Sequence, residues 1–152
     1  MMKAEALNAE SLNAESLNAG SLVKAAIKAR NHAYVPYSHY QVGAALLAKD
    51  GTIYSGCNVE NASYGATNCA ERTAFFKAVS EGVREFTAIA IVGGISGKAV
   101  TDFAYPCGIC RQVMQEFCES DFQIIVAKNE MDYRIMTLAE LLPHGFGGDS
   151  IV

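Results

Sequence analysis

Three cysteines and one glutamate have the residue types and the spacing that chemistry requires. Cys69 opens the run Cys69-Ala70-Glu71-Arg72, and Cys107 and Cys110 lie in Tyr105-Pro106-Cys107-Gly108-Ile109-Cys110. A lone Cys-x-x-Cys fits a redox pair, half of a structural zinc site, or chance. Pro106 narrows the choice, because proline fixes the chain just ahead of a helix and lets both sulfurs project from its first turn. Helix N-termini stabilise thiolates, and the thiolate is the form that binds metal. Two such helix starts, following neighbouring strands or loops, can aim three sulfurs at one point. Three protein ligands leave a tetrahedral zinc one open position, which is the catalytic rather than the structural arrangement. His32, His39 and His144 stand in unrelated contexts and read as surface or core residues, so no fourth ligand emerges. The open position then takes water, whose pKa the metal lowers toward neutrality.

Glu71 lies two residues past Cys69. In the first turn of a helix that offset sets its carboxylate beside the open metal face, where it can move protons to and from water. The plainer reading is a carboxylate that only complements the helix dipole. Three thiolates outweigh the charge of a divalent zinc, so a compensating cation is expected. Arg72 and Arg111 both adjoin the motif, and either could donate to a thiolate sulfur or form a surface ion pair. Arg72 is the stronger candidate.

The elements that must position these groups follow from length and pattern. The chain has 152 residues and 16.3 kDa, the size of one domain. Hydrophobic residues at 51% and a mean hydropathy of +0.13 exclude bulk disorder. A net charge of -4 and a pI near 5.3 lack the basic footprint of a nucleic-acid binder. Charged residues are only 18% of the chain, which suggests that copies of the chain cover part of its surface. The cysteine count is odd, at five, and no secretory leader or membrane-length apolar run is visible. A cytoplasmic protein with reduced thiols and no membrane partner is the expectation.

Residues 1–20 read as a low-complexity extension and 21–152 as the domain. The extension carries the repeat LNAES, LNAES, LNAGS, whose period of five turns a helix by about 140° per leucine and so builds no single stripe. Gly20-Ser21 reads as the cap of a first helix, ended by Val35-Pro36. Strands are expected over 40–47 and 52–59, joined by an Asp50-Gly51 turn. A helix from about Asn68 to Gly82 follows, then a buried strand over 86–92 and a loop from Gly93 to Thr101. A helix over 108–118, strands over 122–127 and 133–136, and a short helix capped by Thr137 complete the chain. Two βα units imply parallel pairing. The sum is an α/β fold, three α/β/α layers around a mixed five-stranded sheet. Cys57 and Cys118 read as buried thiols.

With these motifs in place, the chain resembles the zinc nucleoside and nucleotide deaminases in their three-cysteine form. Tyr37-Ser38-His39-Tyr40-Gln41-Val42-Gly43-Ala44-Ala45-Leu46, Gly56-Cys57-Asn58-Val59-Glu60-Asn61-Ala62, Cys69-Ala70-Glu71-Arg72-Thr73-Ala74 and Pro106-Cys107-Gly108-Ile109-Cys110-Arg111-Gln112 are similar to the homotetrameric cytidine deaminases. The resemblance runs from about residue 21 to 147. It implies one zinc per subunit held by Cys69, Cys107 and Cys110, with Glu71 as proton shuttle. It implies that Asn58 and Glu60 bind the ribose hydroxyls and that the Ala70 N–H binds the pyrimidine O2. Tyr40 stands where the family usually packs phenylalanine on the base. Phe146 matches an aromatic residue that reaches a base in a neighbouring subunit, which implies a homotetramer with shared sites. The implied reaction is attack of water on C4 of cytidine or deoxycytidine, yielding uridine or deoxyuridine and ammonia. Two rival readings are a blasticidin-S-type antibiotic deaminase and a non-catalytic structural zinc protein. The second predicts a closed metal site and no use for Glu71.

Overall fold

The computed structural model describes residues 19–151. The LNAES repeat lies outside the described part except for its last three residues, Ala19, Gly20 and Ser21, which are helical. The elements are α1 (Ala19–Arg30), β1 (Tyr40–Ala48), β2 (Ile53–Cys57), α2 (Ala70–Ser80), β3 (Phe86–Ile95), α3 (Gly108–Phe117), β4 (Gln123–Asn129), β5 (Asp132–Thr137) and α4 (Leu138–Leu141). The five strands form one sheet in the order β2-β1-β3-β4-β5. Only β3 and β4 pair in parallel; every other neighbouring pair is antiparallel. Of the two expected βα units, β3-α3-β4 therefore gives a parallel pair. The other, β2-α2-β3, places its two strands in the same direction on opposite sides of β1.

Period-two alternation splits the sheet into two faces. Ala45, Leu47, Ala88, Ala90, Val92, Ile125 and Ala127 face α1, which contributes Leu22, Val23 and Ala26. Ala44, Leu46, Ile89, Ile91, Ile124 and Val126 face α2 and α3, with Phe75 and Met114 filling the space between. Phe75 is fully buried and sits 5.1 Å from the Phe86 ring, edge to face, which anchors α2 at its middle turn. The expected three layers are thus present. Among these residues no helix is long and apolar enough to cross a membrane.

Several boundaries differ from expectation; α1, for one, ends at Arg30, short of Val35-Pro36. Gly20 and Ser21 are helical residues of α1 rather than its cap, because buried Ala19 continues the apolar stripe of Leu22, Val23 and Ala26 toward the N-terminus. The second strand is shorter, ending at Cys57, after which Val59 makes single bridges to Tyr34 and Asn68. Gly93 and Gly94 belong to β3, paired with Val42 and Gln41, rather than to a loop. Thr137 caps the last helix as expected, in a capping box with Glu140.

Close approach sets the position of α2. A Cβ on Gly56 would lie 2.4 Å from the Ala70 carbonyl oxygen and 2.6 Å from the Ala74 nitrogen, both backbone atoms of the helix. Gly56→Ala must therefore push the first turn of α2 outward. A loss of about 1–3 kcal/mol, the usual cost of overpacking, is expected in denaturant or thermal unfolding. An unchanged melting temperature would show that α2 does not depend on this contact.

Candidate metal centre and active site

Helices α2 and α3 start beyond the C-terminal ends of β2 and β3, two strands that run in the same direction on either side of β1. Cys69 is the N-cap of α2 and Cys107 the N-cap of α3, both with extended backbone. Cys110 lies one turn into α3 and is buried. The three sulfurs lie within 4.8 Å of one another, and Cys69 and Cys107 are 3.8 Å apart. Zn–S bonds of about 2.3 Å at tetrahedral angles put sulfurs about 3.8 Å apart, so the spacing fits one zinc ion. The donor set fits as well, since three cysteine sulfurs would hold a zinc ion and leave one position for water or substrate.

The electrostatics prepare the cluster for a cation. The Cys110 thiol, through its hydrogen bond, and the Arg72 guanidinium hold Cys69 down to about 5. Arg72 Nη2 donates to Cys69 Sγ at 3.1 Å. The same interaction with Cys69, added to burial, pushes Cys110 up and keeps its proton in place. A bound metal ion would convert all three to thiolates. Glu71 is 4% exposed and is the one buried charged side chain among the described residues. Burial pushes its carboxyl up, and its Oε2 accepts from Cys110 Sγ at 3.4 Å. A buried carboxyl with no ion-pair partner of its own is costly to keep in a purely structural role. Arg111 is not a ligand partner. It donates to the Pro106 carbonyl at 2.8 Å and to the Leu141 carbonyl at 2.7 Å, bracing the turn ahead of α3.

In front of the sulfurs lies a cavity of about 350 Å³. Tyr40, Asn58, Cys69, Ala70, Glu71 and Cys107 are among the residues that line it. Asn58 spans two main-chain groups of β1: its Oδ1 accepts from Val42 N and its Nδ2 donates to the Tyr40 carbonyl, each at 2.9 Å. One N–H of the amide and one lone pair remain for a ligand. Glu60 lies outside the lining. Its Oε1 accepts from the Tyr37 and Ser38 N–H groups at 3.0 and 3.1 Å, and the Ser38 side chain also hydrogen-bonds the carboxylate. Hydrogen bonds from Ser38 and Tyr37 hold this carboxyl below the usual range. Phe146 also stays away from the cavity. Its ring is exposed, and its carbonyl accepts from Gln112.

Ala104 and Tyr105 line the cavity without having been singled out by the sequence. The signal was adjacency to Pro106-Cys107. A Cβ on Gly93 would meet Ala104 Cβ at 2.8 Å and the Tyr40 ring at 3.0 Å, so a glycine in β3 lets that wall close on Tyr40. A second hollow, about 400 Å³, lies at the opposite end of the sheet beside Arg84 and Asp121 and holds neither cysteine nor histidine. Cys57 and Cys118 are half-buried rather than buried, and burial pushes both thiols up.

Convergent sulfurs, an open face and a buried carboxylate define a mononuclear zinc centre of the catalytic class on an α/β/α scaffold. Residues 18–126 match the cytidine and deoxycytidylate deaminase zinc-binding region. The chain belongs to that family, and it is a zinc-dependent enzyme. It is 52% identical over 130 residues to a cytidine deaminase of Sporosarcina psychrophila, covering 86% of this chain and 92% of that one. It is also 52% identical over 130 residues to one of Halalkalibacterium halodurans, covering 86% and 95%. The crystal structure of cytidine deaminase from Burkholderia pseudomallei superimposes with a TM-score of 0.77 at 47% identity, covering 86% of this chain and all of that one.

Proposed function

We infer that the protein hydrolyses cytidine and deoxycytidine to uridine and deoxyuridine, releasing ammonia, with one zinc ion per subunit. The observation that carries this reading is Glu71, buried against the sulfur cluster at the head of a nucleoside-sized cavity. Zinc, when bound by Cys69, Cys107 and Cys110, supplies a Lewis-acid centre that makes water a usable nucleophile near neutral pH. Glu71 is placed to accept a proton from the attacking water and to deliver protons to ring N3 and to the departing amine. The C4–N bond breaks, the water oxygen stays on C4 as the new carbonyl, and the nitrogen leaves as ammonia. The Ala70 N–H, first in α2 and without an intrahelical acceptor, suits the pyrimidine O2. Tyr40 covers the base, and Asn58 with Glu60 holds the sugar.

Ultraviolet monitoring of cytidine, deoxycytidine and blasticidin S with zinc-loaded protein tests this directly. Turnover of the first two and not the third is expected. No turnover at full zinc occupancy would overturn the reading in favour of a structural zinc protein.

Glu60→Gln separates sugar binding from chemistry. Glutamine keeps an oxygen for Tyr37 and Ser38 but puts an amide nitrogen where Oε2 would accept a sugar hydroxyl. The KM for cytidine is expected to rise about tenfold, as for loss of one charge-assisted hydrogen bond, with zinc content unchanged. Against 2′,3′-dideoxycytidine the wild-type and variant enzymes should differ little. An equal penalty on both substrates would place Glu60 elsewhere.

The working form is proposed to be a homotetramer in which Phe146 reaches a neighbour's pocket. Exposed Tyr34, Tyr37, Tyr64 and Phe146, with only 18% charged residues, support this. Light scattering should give about four times the chain mass of 16.3 kDa, and a monodisperse 16.3 kDa species would refute it. Cytoplasmic operation is proposed because the metal cysteines must stay reduced.

A further inference from the structure

One wall of the cavity, Ala104 and Tyr105, belongs to the connection of residues 96–107 between β3 and α3. Its first residues are tied by main-chain hydrogen bonds from Ser96 N to the His39 carbonyl and from Lys98 N to the Ile95 carbonyl. Its end is tied by Arg111 to the Pro106 carbonyl. Between these ties, among the described residues, no main-chain hydrogen bond holds 99–105. Side chains alone fix that stretch. Val100 packs toward the α1 face of the sheet, and Phe103 and Ala104 pack toward the other.

Phe103 rests against two cations. The Arg134 guanidinium carbon is 4.4 Å from its ring centroid, and Lys128 Nζ is 4.6 Å away. Lys128 is itself paired with Asp132 at 3.8 Å. Val126 opposes Arg134, and Lys128, at a register irregularity of β4 between Ala127 and Asn129, reaches the same ring. Arg134 does more than cover the ring: its Nη1 donates to the Tyr105 hydroxyl at 3.2 Å. A single side chain on β5 thus grips the cavity wall on both sides of Ala104, at Phe103 and at Tyr105, the latter two residues before the metal cysteine Cys107.

We propose that Arg134 is a positioning residue for the active site, holding the Phe103–Tyr105 wall against the pocket so that substrate meets a preformed surface. A wall pinned only by side chains opens when its one polar tether is cut, and the closed form then costs binding. The charge on Arg134 also contributes through the ring of Phe103. This inference rests on the deaminase reading for its kinetic arm only.

The test compares zinc-loaded wild type with Arg134→Met, Tyr105→Phe and the double variant. Methionine keeps a long apolar stem but removes the charge and the donor. For Arg134→Met, KM for cytidine should rise about fivefold, the size of one lost hydrogen bond, with kcat and zinc content within about twofold of wild type. The two substitutions should not multiply. Once Arg134 is gone, removing the Tyr105 hydroxyl should add less than about twofold. Chymotrypsin should cut after Phe103 severalfold faster in Arg134→Met than in wild type. An unchanged KM, an unchanged cleavage rate, or a double variant equal to the product of the singles would each overturn the proposal. If Arg134→Met failed to fold, Tyr105→Phe alone, which removes the acceptor of the same hydrogen bond, would serve, with the same KM and cleavage outcomes expected. A wild-type protein inactive on cytidine would sink the deaminase reading, while the cleavage comparison would still decide the role of Arg134.

Discussion

Glu71→Gln is expected to lower kcat for cytidine by about 10²–10⁴-fold, the span ordinarily supplied by a positioned acid–base group, while zinc content stays at one per subunit. Glutamine has nearly the shape of glutamate, so it leaves no cavity at a site that is only 4% exposed. It can still accept a hydrogen bond from Cys110, the contact made at 3.4 Å by Oε2. What it cannot do is take a proton from water and return it. Stability is not expected to fall, because a neutral amide replaces a buried carboxyl whose ionisation is costly there. The combination distinguishes the readings. A structural zinc protein predicts a silent substitution, and an indirect structural role predicts a lowered melting temperature. A variant that retains more than about a tenth of the wild-type rate would remove Glu71 from the mechanism.

Glu71 was legible because its meaning is local. Its offset from Cys69 fixes its position as soon as Cys69 heads a helix, and an N-cap followed by a proline-led Cys-x-x-Cys elsewhere leaves few other geometries for three sulfurs. Arg72 was legible for the same reason, three residues along the same turn from the sulfur it contacts. Gly93 and Gly94 were misread because glycine ordinarily punctuates turns. Here it makes room instead. A side chain at 93 would collide with Ala104 and Tyr40, and one at 94 would crowd Val100 at 3.1 Å. That reason exists only once residues 96–107 fold back over the strand. Ser21 was misread as a cap because the buried Ala19 that extends the helix past it is a weak apolar signal. The grip of Arg134 on Tyr105 could not be read at all. The partners are 29 residues apart and meet only through the β4–β5 register.

Cys107→Ala and Cys107→Ser are both expected to abolish zinc retention and cytidine turnover, yet to differ in stability. Cys107 does two jobs at one position. Its sulfur is 3.8 Å from that of Cys69, as shared coordination requires, and it also accepts from the Cys110 N–H at 3.5 Å as the cap of α3. Loss of a group that merely orients a ligand costs about 10–100-fold in metal affinity, and loss of a ligand costs more, so metal analysis after dialysis should find neither variant loaded. Serine is a favoured N-cap and alanine is not, a difference of about 1 kcal/mol in helix stability. The metal-free serine variant should therefore melt above the metal-free alanine variant. Both should melt below the zinc-loaded wild type, because a ligand bound only to the native state adds its binding energy to folding. Full zinc occupancy in either variant would refute the ligand assignment. Equal melting of the two apo variants would show that the sulfur's bond to Cys110 contributes nothing, and that Pro106 and Arg111 alone set the start of α3.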